Sequence, residues 1–98
     1  MDGLEFAWDP RKARANQQKH GISFDEVRSI FADEGALVID DPDHALEEER
    51  FIIIGFSWAA RLLTVCHCYR ESSQVIRIIS ARKATANESK QYVRRNMP

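Results

Sequence analysis

The fold of this chain is decided by the stretch Val75-Ile76-Arg77-Ile78-Ile79-Ser80-Ala81-Arg82-Lys83-Ala84-Thr85. Its β-branched residues favour a buried strand. Arg77 interrupts the apolar run, so its guanidinium must pair with a carboxylate or face an anionic partner. Arg82 and Lys83 add two cations where the strand ends. The stretch therefore predicts a strand that leads to an anion-binding site, with a structural ion pair at Arg77 as the alternative.

The residues that follow this strand predict a helix N-terminus beside it. Thr85-Ala86-Asn87-Glu88 has the spacing of a capping box, in which the Thr hydroxyl and the Glu carboxylate each accept the other residue's backbone N–H. We therefore predict a helix over residues 86–95. The unpaired N–H groups at its start would lie near Arg82 and Lys83, and this combination suits a phosphate.

Similar local signals define the other elements. Asp9-Pro10 begins a helix that Gly21 ends, and Ser23 with Glu26 has the spacing of a second capping box. Apolar alternation with short connections predicts strands that pair as antiparallel hairpins. The predicted order is β-α-α-β-β-β-β-α, over residues 4–8, 10–20, 24–32, 36–40, 50–58, 62–69, 74–82 and 86–95.

This order predicts an α+β fold in a single domain of residues 1–98, with a mostly antiparallel sheet of four to five strands and the helices on one side. Strand alternation places Arg77 on the face of Ala81, opposite Arg82. The two arginines then share a site only if the strand bulges, twists or ends nearby. Whether His67 faces the same side as Arg77 depends on the strand register, which stays open.

The charges of the chain are segregated although their sum is small. Lys and Arg number 14 and Asp and Glu 15, a net charge of −1. Residues 33–49 contain acidic residues and no Lys or Arg, whereas basic residues dominate from Arg61 onward. Such polarity suits RNA on one surface and a cationic partner on another, and a solvated surface of mixed charge is the ordinary alternative. No apolar run has the length of a bilayer span, so we expect a cytoplasmic protein without membrane contact.

The triplet Cys66-His67-Cys68 contains zinc-ligand types, but we do not expect a metal site. Alternation along a strand sends His67 away from the two thiols, and a closed site would need the distant His20 or His44. Two cysteines in a buried strand behave as small hydrophobic residues. We therefore predict neither a metal nor a cofactor.

A set of short motifs extends along nearly the whole chain. Its members are Phe6, Trp8-Asp9, Lys12, Asn16, Lys19-His20-Gly21, Phe24, Asp41-Pro42 with His44, Glu49-Arg50-Phe51, Gly55, Arg77-Ile78-Ile79-Ser80-Ala81-Arg82, and Glu88 with Tyr92. Together these positions resemble the BrnT-type toxins. The chain departs from that family's pattern at Ala7, where an acidic residue is frequent, and at Cys66 and Cys68, where aliphatic residues or Thr are usual.

The resemblance implies a small bacterial endoribonuclease of a type II toxin–antitoxin pair, with a RelE-like fold, that cleaves RNA and inhibits translation and growth. It also implies a separate BrnA-like antitoxin, a DNA-binding dimer that covers the toxin in a 2:2 heterotetramer and represses the shared operon. Operator DNA would then be contacted only through the antitoxin. The alternative function is a catalytically inactive module that acts with an antitoxin in transcriptional autoregulation.

The residues offer the groups that RNA cleavage without a metal requires: a base, an acid, and cations that stabilise charge on the phosphate. We expect His20 and His67 to transfer protons. We expect Arg77 and Arg82 to hold phosphate oxygens. Further RNA contacts are expected from Lys12, Lys19, Lys83 and Tyr92. For His20, a role in ending the first helix before Gly21 is the structural alternative.

Overall fold

The computed structural model describes residues 4–41, 49–70 and 74–98. Its elements follow the predicted order: β1 (Glu5–Ala7), α1 (Pro10–His20), α2 (Phe24–Arg28), β2 (Leu37–Asp40), β3 (Phe51–Phe56), β4 (Leu62–Arg70), β5 (Val75–Lys83) and α3 (Ala86–Arg95). A 3₁₀ turn over Ser29–Ala32 continues α2. None of the described helices combines the length and apolar character needed to span a membrane.

The five strands form one mixed sheet in the order β1-β5-β4-β3-β2. The meander of β3, β4 and β5 is confirmed, and β2 extends it in the antiparallel sense. The prediction of hairpin pairing does not extend to β1, which joins the edge of β5 in parallel. This pairing joins strands from opposite ends of the chain, so no turn signal in the sequence could reveal it.

Helices cover both faces of the sheet, so the prediction that they pack on one side is wrong. On the α1/α2 face, the helices and strands share one apolar core formed by Ile22, Phe24, Val27, Ile30, Ile53, Leu63, Val65, Ile78 and Ala81. Thr64 alternates with Leu63 and Val65 and therefore points to the other face. There it meets α3 through Glu88, and Phe56 packs edge-on against Tyr92. We call this second side the α3 face.

A β-bulge decides which residues of β5 lie on the α3 face. The pairing of β4 and β5 shifts by one residue midway along the strands, which leaves Ile79 as the extra residue. Ile78 and Ala81 can then both enter the core, although regular alternation would separate them. Arg77 and Arg82 consequently share the α3 face. Unbroken alternation, which places Arg77 with Ala81, is therefore wrong.

The predicted caps of α1 and α3 are confirmed. Asp9 accepts the N–H of Arg11 through its side chain, and Gly21 ends α1 with φ 69°, a conformation that glycine adopts without strain. At α3, Thr85 and Glu88 form the reciprocal capping box. These bonds are made within one turn of chain, which is why sequence spacing predicts them.

The second capping box is only half formed. Ser23 accepts the Glu26 N–H at 3.1 Å, but the Glu26 carboxylate turns away from Ser23. It accepts bonds from Arg61 and from the Ser57 hydroxyl, and Arg61 also donates to the Gly21 carbonyl. This bond to Arg61 outweighs burial and lowers the pKa of Glu26. The pair therefore fastens the start of α2 to the β3–β4 turn.

Candidate functional site

The α3 face of the sheet carries a polar track along β4 and β5. The cross-strand pairs that form it are Thr64 with Arg82, Cys66 with Ser80, and Cys68 with Arg77. Ser80 and Arg82 are exposed, and Arg77 and Cys66 are half-buried. The track therefore presents two guanidinium groups and a hydroxyl to the surface of the protein.

Asn16 fixes α1 along the edge of β5 beyond the end of β1. Its Oδ1 accepts the backbone N–H of Ala81 at 3.0 Å, and its Nδ2 donates to the Ile22 carbonyl at 3.1 Å. Asn16 is buried, and its side-chain amide accepts the Ala81 N–H, which has no partner in a neighbouring strand beyond the end of β1. In the sequence, Asn16 stands out only as one of the BrnT-type motif positions. Its burial is decided by tertiary packing, so no local signal marks it.

This anchoring brings His20, one turn after Asn16, to the polar track. The half-buried imidazole lines a cavity of about 80 Å³ together with Ile52, Thr64, Cys66, Ser80, Ala81 and Arg82. The structure therefore unites His20 and Arg82, which are 62 positions apart in the sequence. The same position ends α1, so the structural and the chemical interpretations of His20 are compatible.

Arg82 is held by Glu88 from the first turn of α3. Its two terminal nitrogens donate to the two carboxylate oxygens at 2.7 and 2.9 Å. Glu88 also accepts from the Thr64 hydroxyl and from the Thr85 N–H, each at 2.9 Å. The bidentate bond from Arg82 outweighs burial and lowers the pKa of Glu88 to about 2. The carboxylate therefore stays ionised and fixes the guanidinium plane.

Arg77 lies between Ala7 of β1 and Cys68 of β4 on the same face. Within residues 4–41, 49–70 and 74–98, its side chain forms no ion pair and no hydrogen bond. The structural ion pair that the sequence leaves open is therefore not formed in the described part of the chain. A half-buried guanidinium of this kind has donors available for an anionic ligand.

His67 is separated from the other predicted site residues. It lies on the α1/α2 face with 0% of its surface exposed, enclosed by Phe31, Phe51 and Tyr69. Nδ1 has no partner in the described residues, and burial lowers the pKa of His67 to about 4. The imidazole is therefore a neutral part of the core in this conformation, and RNA cannot reach it.

The residues predicted to bind RNA divide into three groups. Lys12 and Lys19 are exposed residues of α1, four positions before and three positions after Asn16, so they lie on the same broad side of the helix. Lys83 pairs across the strands with Leu63 and therefore projects toward the α1/α2 face, away from Arg82. Tyr92 is hydrogen-bonded to Asp33 within the protein.

The Tyr92 hydroxyl joins α3 to the turn before β2. It donates to Asp33 Oδ2 at 2.8 Å, and the same oxygen accepts the N–H of Phe56 at 2.8 Å. Burial and the Asp33 carboxylate raise the pKa of Tyr92. The ring also packs on Phe56, with 5.2 Å between centroids. Tyr92 therefore acts as a structural link, and we do not include it in the RNA-binding set.

The cysteines give no sign of nucleophilic or metal chemistry. Cys66 donates to Asp41 Oδ2 at 3.4 Å, and burial together with that carboxylate raises the pKa of its thiol to about 12. His67 points to the opposite face from both thiols. The described residues contain no cluster of three or more His, Cys, Asp or Glu placed to hold a metal ion. His44 lies outside the described residues.

The fold and the polar track define a class of protein: a small α+β domain with two arginines in a polar track on one face of a five-stranded sheet. The 1.1 Å crystal structure of the Brucella abortus ribonuclease toxin, BrnT, has the same fold, with a TM-score of 0.61. The two sequences are 23% identical, and the alignment covers 84% of this chain and 97% of that chain. This likeness concerns the fold.

The family is defined by a second comparison. The model for the ribonuclease toxin, BrnT, of type II toxin-antitoxin systems matches residues 8–88. The chain therefore belongs to the BrnT family, and the predicted resemblance is confirmed. Membership in a type II toxin–antitoxin family implies an antitoxin partner. Comparison with curated proteins gives no match.

Proposed function

We propose that this chain is a metal-independent endoribonuclease that cleaves RNA on the α3 face. The observation that carries the proposal is the bulge at Ile79, which puts Arg77 and Arg82 on one face with His20 at its edge. RNA lying along β5 would meet the two guanidinium groups at different phosphates. Its exposed backbone would also pass Lys12 and Lys19, since both extend the basic surface across α1.

In the proposed reaction, His20 accepts the proton of the ribose 2′-hydroxyl. The 2′ oxygen then forms a bond to phosphorus, and the bond from phosphorus to the 5′ oxygen breaks. Arg82 stabilises the negative charge that grows on the phosphate oxygens, and Arg77 binds a neighbouring phosphate. Water supplies the proton to the leaving 5′ oxygen, since the described residues place no second imidazole on this face, and the hydroxide so formed takes the proton from His20 and restores its neutral form.

Glu88 acts in this proposal as a positioning residue for Arg82. A guanidinium has five N–H donors, and the bidentate pair with Glu88 uses two of them. Nη1 of Arg82 also donates to the Lys83 carbonyl at 3.4 Å, and the donors that remain are available to a phosphate while the plane of the group stays fixed. Preorganised donors of this kind stabilise transition-state charge without reorganisation.

The cellular role follows from family membership and remains part of the proposal. RNA cleavage would inhibit translation and growth in the cytoplasm until a BrnA-like antitoxin binds in a 2:2 heterotetramer. The antitoxin would contact operator DNA for the pair. We also propose that the fold is RelE-like, since the mixed sheet with helices on both faces is compatible with it.

One observation favours the second function, a catalytically inactive module that works with the antitoxin in autoregulation. Glu88 neutralises Arg82, so the net charge beside His20 is lower than the sequence suggests. A site that only binds RNA tolerates this pairing. A catalytic site requires that the donors of Arg82 not bound to Glu88 stabilise the transition state by themselves.

Cleavage of a defined RNA in EDTA tests the two functions. We expect the wild type to cleave, and His20→Ala and Arg77→Ala to lose activity by about 10²-fold or more. Arg28→Ala is the matched control, because Arg28 is an exposed arginine that pairs with Asp25 and lies over Phe6, away from the α3 face. It should cleave like the wild type.

Other outcomes have distinct meanings. Equal cleavage by all four proteins would show that the active site does not include His20 or Arg77. The binding module would be favoured if the wild type binds RNA without cleaving it and Arg77→Ala no longer binds RNA. Circular dichroism of each variant shows whether it is folded.

A further inference from the structure

The outer side of α3 is a surface that the described residues leave uncovered. The helix turns Glu88 and Tyr92 toward the sheet, and none of its residues is buried. Val93 on its outer side is 56% exposed, and Met97, two residues beyond the end of the helix, is 65% exposed. With Ser89, Lys90 and Arg94 they line a shallow groove of about 350 Å³.

The groove has an apolar floor and a cationic rim. Lys90 and Arg94 flank the apolar pair and form no ion pair or side-chain hydrogen bond within the described residues. The single acidic residue of α3, Glu88, is held by Arg82. No carboxylate of α3 therefore offsets the two cations, and an occupant needs both apolar and acidic groups.

We propose that this groove docks an amphipathic, acidic helix of the antitoxin. The partner helix would place apolar side chains on Val93 and Met97, and carboxylates on Lys90 and Arg94. Val93 in the last turn of α3 and Met97 just beyond its end form an exposed apolar pair that a partner helix can cover. A nucleic acid would use the cations but would leave the apolar floor uncovered. The proposal rests on the proposed function, which supplies the antitoxin.

The test is a calorimetric titration with the purified antitoxin encoded beside this chain. Two double variants probe the groove, Val93→Ser with Met97→Ser and Lys90→Glu with Arg94→Glu. Arg11→Glu with Arg14→Glu on α1 makes the same charge change elsewhere. We expect each groove pair to weaken binding by about tenfold or more, because central contacts dominate interface energetics, and the control by no more than about twofold.

RNA cleavage by the free proteins separates this proposal from the nuclease. We expect the Val93→Ser, Met97→Ser variant to cleave like the wild type, because neither residue belongs to the polar track. Unchanged antitoxin affinity in both groove pairs would overturn the docking proposal, and so would an antitoxin that does not bind the wild type. A Lys90→Glu, Arg94→Glu variant that loses RNA but keeps the antitoxin would assign the cations to RNA and also overturn it. Antitoxin binding without cleavage would contradict only the nuclease.

Discussion

The two described histidines show how the environment of a residue decides its chemistry. His20 is half-buried beside Ser80 and Arg82, whereas His67 is fully enclosed by aromatic rings. Enclosure removes the water that would stabilise an imidazolium, so protonation of His67 opposes folding. The same residue type is therefore the proposed proton acceptor at one position and a part of the core at the other.

His67 makes the stability of the fold depend on pH. Its pKa is about 4 in the folded chain against 6.5 as the ordinary value, so the unfolded chain binds more protons in this interval. The free energy of unfolding should therefore fall by roughly 2–3 kcal/mol as the pH is lowered from 6.5 to 4. Urea unfolding at several pH values measures this slope.

His67→Phe removes the titrating group and is the test variant. We expect it to lose most of the slope between pH 6.5 and 4 and to cleave RNA like the wild type. An unchanged slope would mean that other groups cause it. Loss of cleavage in a folded His67→Phe protein would show that His67 takes part in catalysis.

Glu88→Gln tests the positioning of Arg82. Gln can still serve in the capping box, so α3 should remain folded. Loss of the charge frees the guanidinium, so we expect kcat to fall by about tenfold while KM for RNA stays equal or decreases. Steady-state cleavage kinetics measure both constants. Glu34→Gln, at an exposed carboxylate, is the control, and equal losses in the two variants would contradict the positioning role.

At the scale of elements, α3 depends on a few polar links. It has no buried residue. Glu88 links one end of it to Thr64 of β4, and Tyr92, Arg95 and Asn96 link the other end to the turn before β2. Asn96 donates to the Gly35 carbonyl at 3.0 Å. A helix attached in this way contributes little apolar burial, so single hydrogen bonds carry a large share of its docking energy.

Tyr92→Phe should therefore lower stability without affecting RNA binding. It removes the hydrogen bond to Asp33 but keeps the ring on Phe56, so we expect a loss of about 1 kcal/mol. Urea unfolding measures the loss, and cleavage kinetics measure KM for RNA. A rise in KM without a change in stability would show that Tyr92 contacts RNA after all.

At the scale of the whole molecule, a net charge of −1 conceals a basic track. RNA binding should therefore weaken as salt rises, because bound lysines and arginines release counterions from the phosphates. Arg77→Ala removes one proposed phosphate contact and should reduce the slope of log K against log salt by about 0.7. Arg28→Ala should leave the slope unchanged, and a slope independent of salt would contradict binding through the track.

The sequence by itself determined the features that depend on neighbours in the chain. Asp9, Gly21, Thr85 and Glu88 cap helices through bonds within one turn, and apolar alternation marks the strands. The order of elements and the meander were therefore predictable, whereas the BrnT family was predicted from the resemblance of motifs spread along the chain. The cations at the end of β5 were visible for the same reason, since they adjoin the capping box.

Only the tertiary structure decided which of these residues meet. The bulge at Ile79, the parallel pairing of β1 and the burial of His67 all depend on strand register. Register is set by packing between segments far apart in the chain, and a shift of one residue reverses every side chain beyond it. For this reason Arg77 lies on the same face as Arg82. His67 faces the core, although its neighbours Cys66 and Cys68 belong to the polar track.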